Sequence, residues 1–148
     1  MLINNLSFGY EGSYNNIFEN VSFNIDSDWK LGLVGRNGKG KTTLLKLLQG
    51  KYEYTGIISK KVDVDYFPFE VTNKERNAIE IVNEIAPNAK EWEIIKELNL
   101  INADTEIIYR SFNSLSGGEQ VKVLLISLFL KGNNFLLIDE PTNHLDIE

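Results

Sequence analysis

The 148-residue sequence lacks several features that would mark it as secreted, membrane-spanning or metal-binding through thiolates. It has no cysteine, which excludes a disulfide scaffold and a thiolate metal site, and it has one histidine and three prolines. Its longest apolar stretch, residues 123–130, is far shorter than the roughly 20 residues that cross a bilayer, and no secretory signal is visible. A net charge of −6 disfavours a general attraction to nucleic acid or to an anionic membrane. We therefore expect a soluble, cytoplasmic globular protein.

Hydrophobic periodicity predicts a chain that begins mainly with strands. With 43% hydrophobic residues, the chain is long enough to bury a core. Alternating apolar residues predict half-buried strands over residues 2–8 and 21–25, and short apolar runs predict strands over residues 30–34, 56–58 and 62–67.

The first and last predicted helices have clear ends. The first covers residues 41–49 and stops at Gly50, and the last covers residues 117–131 and stops at Gly132. The continuous apolar run at residues 135–138 is typical of a central parallel strand that is covered on both faces.

Residues 72–115 form a predicted helical insertion. One helix begins at the capping-box pattern of residues 72–75, and a second follows Pro87. The apolar residues that recur at helical spacing in this pair are Ile79, Val82, Ile85, Ala86, Trp92, Ile95 and Leu98. The order of strands and helices along the chain indicates an α/β fold.

Residues 35–42 fit the phosphate-binding pattern G-x-x-x-x-G-K-[ST] without a mismatch. Glycines let successive backbone N–H groups point at phosphate oxygens, and the positive end of the following helix adds to the attraction. Lys41 would contact the β- and γ-phosphates, and the hydroxyl of Thr42 would ligate Mg²⁺. The alternative is an ordinary glycine-rich turn. The predicted nucleotide-binding residues here are Gly35, Arg36, Asn37, Gly38, Lys39, Gly40, Lys41, Thr42 and Thr43.

Two adjacent acids, Asp139 and Glu140, follow the last predicted strand. The carboxyl edge of a parallel strand is where ligands bind in α/β sheets. Asp139 would hold Mg²⁺, and Glu140 would orient and polarise the water that attacks the γ-phosphate. Glu140 and Lys41 are therefore the predicted catalytic residues, and a solvated acidic strand end is the alternative for the acid pair.

The sequence Leu-Ser-Gly-Gly-Glu-Gln at residues 115–120 begins the last predicted helix. Ser116 and Glu119 fit a capping box, and the two glycines leave backbone N–H groups uncovered. Two interpretations follow: a well-capped buried helix, or a helix start that presents Ser116 and bare amides to an anion.

Four motifs, in their order along the chain, resemble those of the ATP-binding cassette (ABC) family. They are the phosphate loop, residues 115–120, the acid pair and the tail at residues 141–146. The resemblance implies a P-loop NTPase of ABC type with a mostly parallel core sheet, N-terminal antiparallel strands and a short helical insertion. Residues 1–71 and 116–148 would form the ATPase core, and residues 72–115 the insertion.

The resemblance also implies MgATP as the ligand and a second cassette as the partner, in the same full-length chain or in a homodimer. Tyr10 would stack on adenine, whereas the alternative is local packing of a strand-end aromatic. The signature residues that would contact ATP held by the partner are Ser116, Gly117, Gly118 and Glu119.

The tail Asn-His-Leu-Asp at residues 143–146 is similar to that of the ABC-F subfamily. Members of this subfamily are soluble, hold two cassettes in one chain and act on ribosomes, and some of them protect the ribosome from antibiotics. We therefore expect the N-terminal cassette of a protein of this resistance branch, C-terminally truncated, which binds ATP and alone hydrolyses it poorly. Phe69 stands where the family usually has a glutamine, and phenylalanine can neither ligate Mg²⁺ nor hydrogen-bond the attacking water. Either Glu70 or a water molecule takes over that role, or the coupling between the insertion and the nucleotide is looser. His144 lies too early to be the family's switch histidine.

Other functions fit parts of the same pattern. The chain could be the ATPase subunit of an ABC membrane transporter that docks through residues 72–115, or an ATP-dependent clamp without catalysis. Some lysines could contact RNA, although a solvated surface is the favoured explanation for them: Lys39, Lys46, Lys51, Lys60 and Lys61.

Overall fold

The computed structural model describes residues 1–26, 29, 31–33, 36, 38, 40–132 and 134–139. They belong to two compact units, Met1–Tyr66 and Phe67–Glu148. Within the described part of the chain, no helix is both long and apolar enough to span a membrane.

The first unit contains a three-stranded antiparallel sheet. Its central strand is β1 (Leu2–Phe8), which pairs with β2 (Phe18–Asn24) on one side and with β3 (Thr55–Ser59) on the other. The strands predicted at residues 2–8, 21–25 and 56–58 are thereby confirmed, with small changes at their ends.

An irregularity in β1 sets which residues enter the core. Asn5 has a φ of 49°, and its backbone N–H donates to the Ser22 hydroxyl at 2.8 Å, where the register between β1 and β2 shifts. Strict alternation would place Ile3 and Leu6 on opposite faces of the sheet, because they are an odd number of residues apart. The shift lets both be completely buried.

Helix α1 (Lys41–Gln49) has the predicted ends. Gly50 adopts a left-handed conformation with a φ of 86°, and its backbone N–H donates to the Leu47 carbonyl at 3.0 Å, which closes the helix. Leu47 and Leu48 are buried.

The strand predicted over residues 30–34 is not seen where the chain is described. Leu31 and Leu33 are not in a strand and are 60% and 48% exposed, while Lys30 and Val34 lie outside the described residues. A buried strand needs a hydrogen-bonding neighbour and cover on its faces, and no strand among the described residues pairs with this segment.

β4 (Asp63–Phe67) and β5 (Asn134–Ile138) form a two-stranded sheet, which confirms the strands predicted at residues 62–67 and 135–138. The prediction that β5 is covered on both faces is wrong in the described part of the chain. Only Leu137 of this strand is buried, because β4 is the sole neighbour of β5 there.

The second unit is mainly helical. Its helical elements are α2 (Ala78–Ile85), α3 (Glu91–Leu100), 3₁₀ turns at Thr105–Tyr109 and Phe112–Ser114, and α4 (Gly117–Lys131). Helix α4 packs against α2 and α3, and the first of the two 3₁₀ turns packs against the same two helices. Fully buried members of its apolar core include Val82, Ile94, Leu98, Ile107 and Val123.

Helix α2 begins later than the capping-box pattern at residues 72–75 predicted. The backbone groups in front of the helix instead bond to a distant segment. The Phe112 N–H donates to the Arg76 carbonyl at 2.9 Å, and the Ala78 N–H donates to the Arg110 carbonyl at 3.0 Å. Because these bonds hold the segment in a non-helical conformation, the local signal does not start the helix.

Helix α3 turns a different face to the core than predicted. Trp92 is 59% exposed, whereas Ile94 and Leu98 are fully buried. These two residues are four positions apart and share one face, while Trp92 precedes Ile94 by two positions and points away. The other residues predicted to be buried in this helix pair are buried or half-buried: Ile79, Val82, Ile85, Ala86 and Ile95.

Arg110 joins the start of α2 to the start of α4. Its carbonyl accepts from the Ala78 N–H, its Nη2 donates to the Ser114 carbonyl at 3.1 Å, and its Nη1 lies 3.5 Å from Oε1 of Glu119. One residue therefore contacts the first turns of two helices.

Candidate nucleotide-binding site

The start of α1 has the properties of an anion site. Gly40 precedes the helix with a φ of 89° and has no side chain to cap it, and the first turn holds no acidic residue. The Lys41 ammonium donates to the Arg36 carbonyl at 3.2 Å, across the loop. The helix N-terminus, the Lys41 ammonium and the glycine backbone N–H groups all attract negative charge. They therefore fit a phosphate group, with or without its Mg²⁺, better than a metal cation by itself.

Gly40 and Gly38 both have a positive φ, which favours glycine, and Gly40 also has close neighbours. A Cβ at Gly40 would lie 2.8 Å from Cγ2 of Ile17 and 3.1 Å from Cζ of Phe18, so the loop packs tightly at this point. Gly38 has a φ of 75°, and a Cβ there would meet nothing within 4 Å. Its requirement is therefore conformational, which suits a loop that turns its amides toward a ligand.

Tyr10 lies directly beside the first turn of α1. Its hydroxyl is 2.9 Å from the Thr43 hydroxyl, and its ring makes edge contacts with Phe8 and Tyr52, at centroid distances of 5.0 and 5.7 Å. The ring is 44% exposed. The structure thus brings the residue predicted to stack on adenine to the helix that begins with Lys41.

The start of α4 has the predicted capping box. The Glu119 N–H donates to the Ser116 hydroxyl, and the Ser116 N–H donates to the Glu119 carboxylate. Ser116 and Gly117 are exposed, and a Cβ at Gly117 would meet nothing within 4 Å, while Gly118 is buried. The helix start is both well capped and open to solvent, so either interpretation of the signature fits this geometry.

Phe69 lines a groove beside α4. The groove has a volume of about 190 Å³, and Phe69 is half-buried against the core, while Glu70 is exposed at the same groove. Its walls include Phe67, Val71, Phe112, Gly117, Val121 and Leu124. Phe69, predicted to replace the family's glutamine, therefore packs as an apolar residue, and the charged and amide side chains at the same groove are Glu70, Lys74 and Gln120.

Several predicted residues cannot be placed in this geometry. Gly35, Asn37, Lys39, Glu140 and the tail at residues 141–146 lie outside the described residues. Asp139 is described: its backbone N–H donates to the Phe67 carbonyl at 2.9 Å. Sequence reasoning missed Tyr52, because an aromatic residue after a helix carries no signal of its distant contacts.

Comparison with known proteins shows the family to which this chain belongs. The family model described as "ABC transporter" matches residues 18–143, which is most of the chain. The chain therefore belongs to the ABC family, and the α/β fold predicted from the sequence is that of its ATPase cassettes.

Related proteins carry the name of the F group of this family. The chain is 34% identical over 154 residues to ABC transporter F family member 4 of Dictyostelium discoideum, matching 100% of this chain and 13% of that protein. It is also 34% identical over 155 residues to ATP-binding cassette sub-family F member 2 of Bos taurus, matching 100% of this chain and 25% of that protein. The chain thus spans a quarter or less of the length of these relatives.

Solved structures support the same fold. An ABC transporter ATP-binding protein from Pyrococcus furiosus aligns with a TM-score of 0.82 at 22% identity, covering 98% of this chain and 77% of that chain. A bacterial ABC transporter cassette solved as a dimer aligns with a TM-score of 0.72 at 19% identity, covering 98% and 75%.

Proposed function

We propose that this chain binds MgATP through residues 35–43 and, paired with a second ABC cassette, hydrolyses ATP to ADP and phosphate. The observation that carries the proposal is the start of α1, where an uncapped helix end follows Gly40 and the Lys41 ammonium reaches back to the Arg36 carbonyl. Membership of the ABC family supports ATP as the anion. Residues 72–115 would be an insertion in an ATPase core made of residues 1–71 and 116–148.

The residues have distinct roles in this proposal. Lys41 neutralises the β- and γ-phosphates, and Thr42 and Asp139 would hold Mg²⁺, which supplies charge stabilisation when bound. Glu140 orients the attacking water and accepts its proton.

A second cassette would complete the site. Ser116 to Glu119 would contact ATP held by the partner, and the exposure of Ser116 and Gly117 at the start of α4 supports this role. The dimeric form of one similar cassette and the much greater length of the curated relatives are compatible with pairing.

Calorimetry on the 148-residue chain tests nucleotide binding. We expect magnesium-dependent binding of ATP, and a Kd about 10- to 150-fold higher in Lys41→Ala, because a hydrogen bond between charged groups is lost. Lys51→Ala removes an exposed lysine beyond α1 and is the matched control. Absence of any ATP binding by the folded wild-type chain would overturn the proposal.

Turnover measurements in the full-length protein test the role of Glu140. Glu140→Gln should retain ATP binding and lose most phosphate release, because the amide cannot accept a proton from water. Unchanged turnover would remove Glu140 from its role. The isolated chain should release phosphate far more slowly than the full-length protein.

We further propose that the full-length protein acts in the cytoplasm on the ribosome, as a translation factor or in antibiotic resistance by ribosome protection. This choice is supported by the F-group names of the relatives, because the ABC-F subfamily that the tail resembles acts on ribosomes. The second candidate is the ATPase subunit of a membrane transporter, which is favoured by the likeness to solved cassettes of ABC transporters. Sedimentation of the ATP-bound Glu140→Gln protein with purified ribosomes, and not with membrane vesicles, would decide for the ribosome.

A further inference from the structure

We infer that Thr43 and Tyr52 are positioning residues for the nucleobase, because together with Phe8 they fix the hydroxyl and the ring of Tyr10 beside the phosphate loop. The inference rests on the proposed binding of MgATP and extends it to the neighbours of Tyr10, which no sequence motif identifies as a group. The set of Phe8, Thr43 and Tyr52 is called the Tyr10 holder.

Thr43 fixes one end of the Tyr10 side chain. The two hydroxyl oxygens are 2.9 Å apart, and Thr43 is only 7% exposed, in the first turn of α1. A buried hydroxyl that loses its partner is costly, so this contact is strongly favoured over an open arrangement. It sets the distance between the Tyr10 ring and the helix end that holds Lys41.

Two aromatic rings fix the plane of Tyr10. Phe8 and Tyr52 are stacked on each other, with centroids 5.4 Å apart and planes 22° apart. The plane of Tyr10 is nearly perpendicular to both, at 80° and 84°. Edge-to-face contacts of this kind prefer one orientation, so the pair resists rotation of the Tyr10 ring.

The held ring still has surface to offer. Tyr10 is 44% exposed although three residues of the holder contact it. A ring that is fixed before the ligand arrives loses less conformational entropy on stacking, so the holder should add to affinity for the base. It should add nothing to affinity for a triphosphate that has no base.

Calorimetry with two ligands tests this inference in the 148-residue chain. We expect Tyr52→Leu and Tyr10→Phe to raise the Kd of MgATP about 2- to 10-fold and to leave the Kd of magnesium tripolyphosphate unchanged. Tyr52→Phe keeps the ring and should bind MgATP as the wild type does. Tyr54→Leu and Tyr14→Phe are the matched controls. Within the described residues, the ring and hydroxyl contacts of Tyr10 are made by the holder, so these two substitutions should leave Tyr10 in place and the Kd of MgATP unchanged.

The outcomes separate this inference from the proposed function. If Tyr52→Leu weakens both ligands equally, Tyr52 has only a structural role and the inference is overturned. If the wild type binds both ligands with one affinity, the base contributes nothing; the inference then fails while the phosphate loop retains its function. If the folded wild type binds neither ligand, the proposed function fails, and this inference with it.

Discussion

The hydroxyl of Ser116 accepts a hydrogen bond from the backbone N–H of Glu119 at 3.2 Å, and the Glu119 carboxylate accepts one from the Ser116 N–H at 2.7 Å. This reciprocal pair satisfies two backbone donors that a helix start leaves open. The same two residues belong to the proposed contact with a partner's ATP, so stability and function can be separated by substitution.

Ser116→Ala should lower the free energy of unfolding by about 1 kcal/mol, because the helix loses its cap. Ser116→Asp should retain most of that stability, since aspartate caps a helix as well as serine does. In the full-length protein, however, Ser116→Asp should lose ATP-dependent closure, because a carboxylate would face the phosphates. Urea unfolding measures the first effect, and ATP turnover measures the second. Equal stability of Ser116→Ala and the wild type would contradict the cap.

Leu98→Ala should lower the free energy of unfolding by about 2–5 kcal/mol, because Leu98 is fully buried in the core of the second unit. Trp92→Ala on the same helix should change it by less than about 0.5 kcal/mol, because the larger side chain is 59% exposed. Denaturant unfolding of both variants checks the orientation of α3. A greater loss in Trp92→Ala would mean that α3 turns its other face to the core.

Gly56→Ala should destabilise the first unit for two reasons. Gly56 has a φ of 103°, and a Cβ there would meet the Asn5 carbonyl oxygen and lie 2.6 Å from that of Asn4. Gly12 has a φ of 80° with nothing within 4 Å of a Cβ, so Gly12→Ala carries only the conformational cost of about 1–3 kcal/mol. We expect a clearly lower Tm for Gly56→Ala than for Gly12→Ala. Equal Tm values would show that the close approach of β1 and β3 is not rigid.

Tyr109 should make the stability of the second unit depend on alkaline pH. Its hydroxyl donates to the Glu91 carboxylate, which raises the pKa of the phenol above its ordinary value of 10.0. Because the pKa is raised by folding, the stabilisation is complete below about pH 10 and disappears as the pH rises through the raised pKa. The Tm difference between the wild type and Tyr109→Phe should therefore be positive at about pH 8 and shrink above about pH 10. A difference that is constant over this range would contradict the assignment.

Elements with strong local signals could be predicted from the sequence. Gly50 ends α1 and the Ser116–Glu119 capping box begins α4 as expected, because the cap lies within a few residues of the helix it stabilises. The spacing of residues 35–42 is also a local pattern, and it predicts the phosphate loop without any knowledge of the fold.

The failures have non-local causes. The capping pattern at residues 72–75 is outweighed by hydrogen bonds from residues 110–113, and the exposed face of α3 is set by which side meets the core. The link between Tyr10 and Thr43 joins residues that are 33 positions apart. No periodicity carries information about such a pair, so the holder of Tyr10 could be found only in three dimensions.

The three contacts of Arg110 are of two kinds. Its carbonyl accepts a backbone hydrogen bond from the start of α2, whereas its guanidinium reaches the Ser114 carbonyl and the Glu119 carboxylate at the start of α4. Loss of the Arg110 side chain would therefore release the start of α4 from this link and leave the backbone bond to α2 in place.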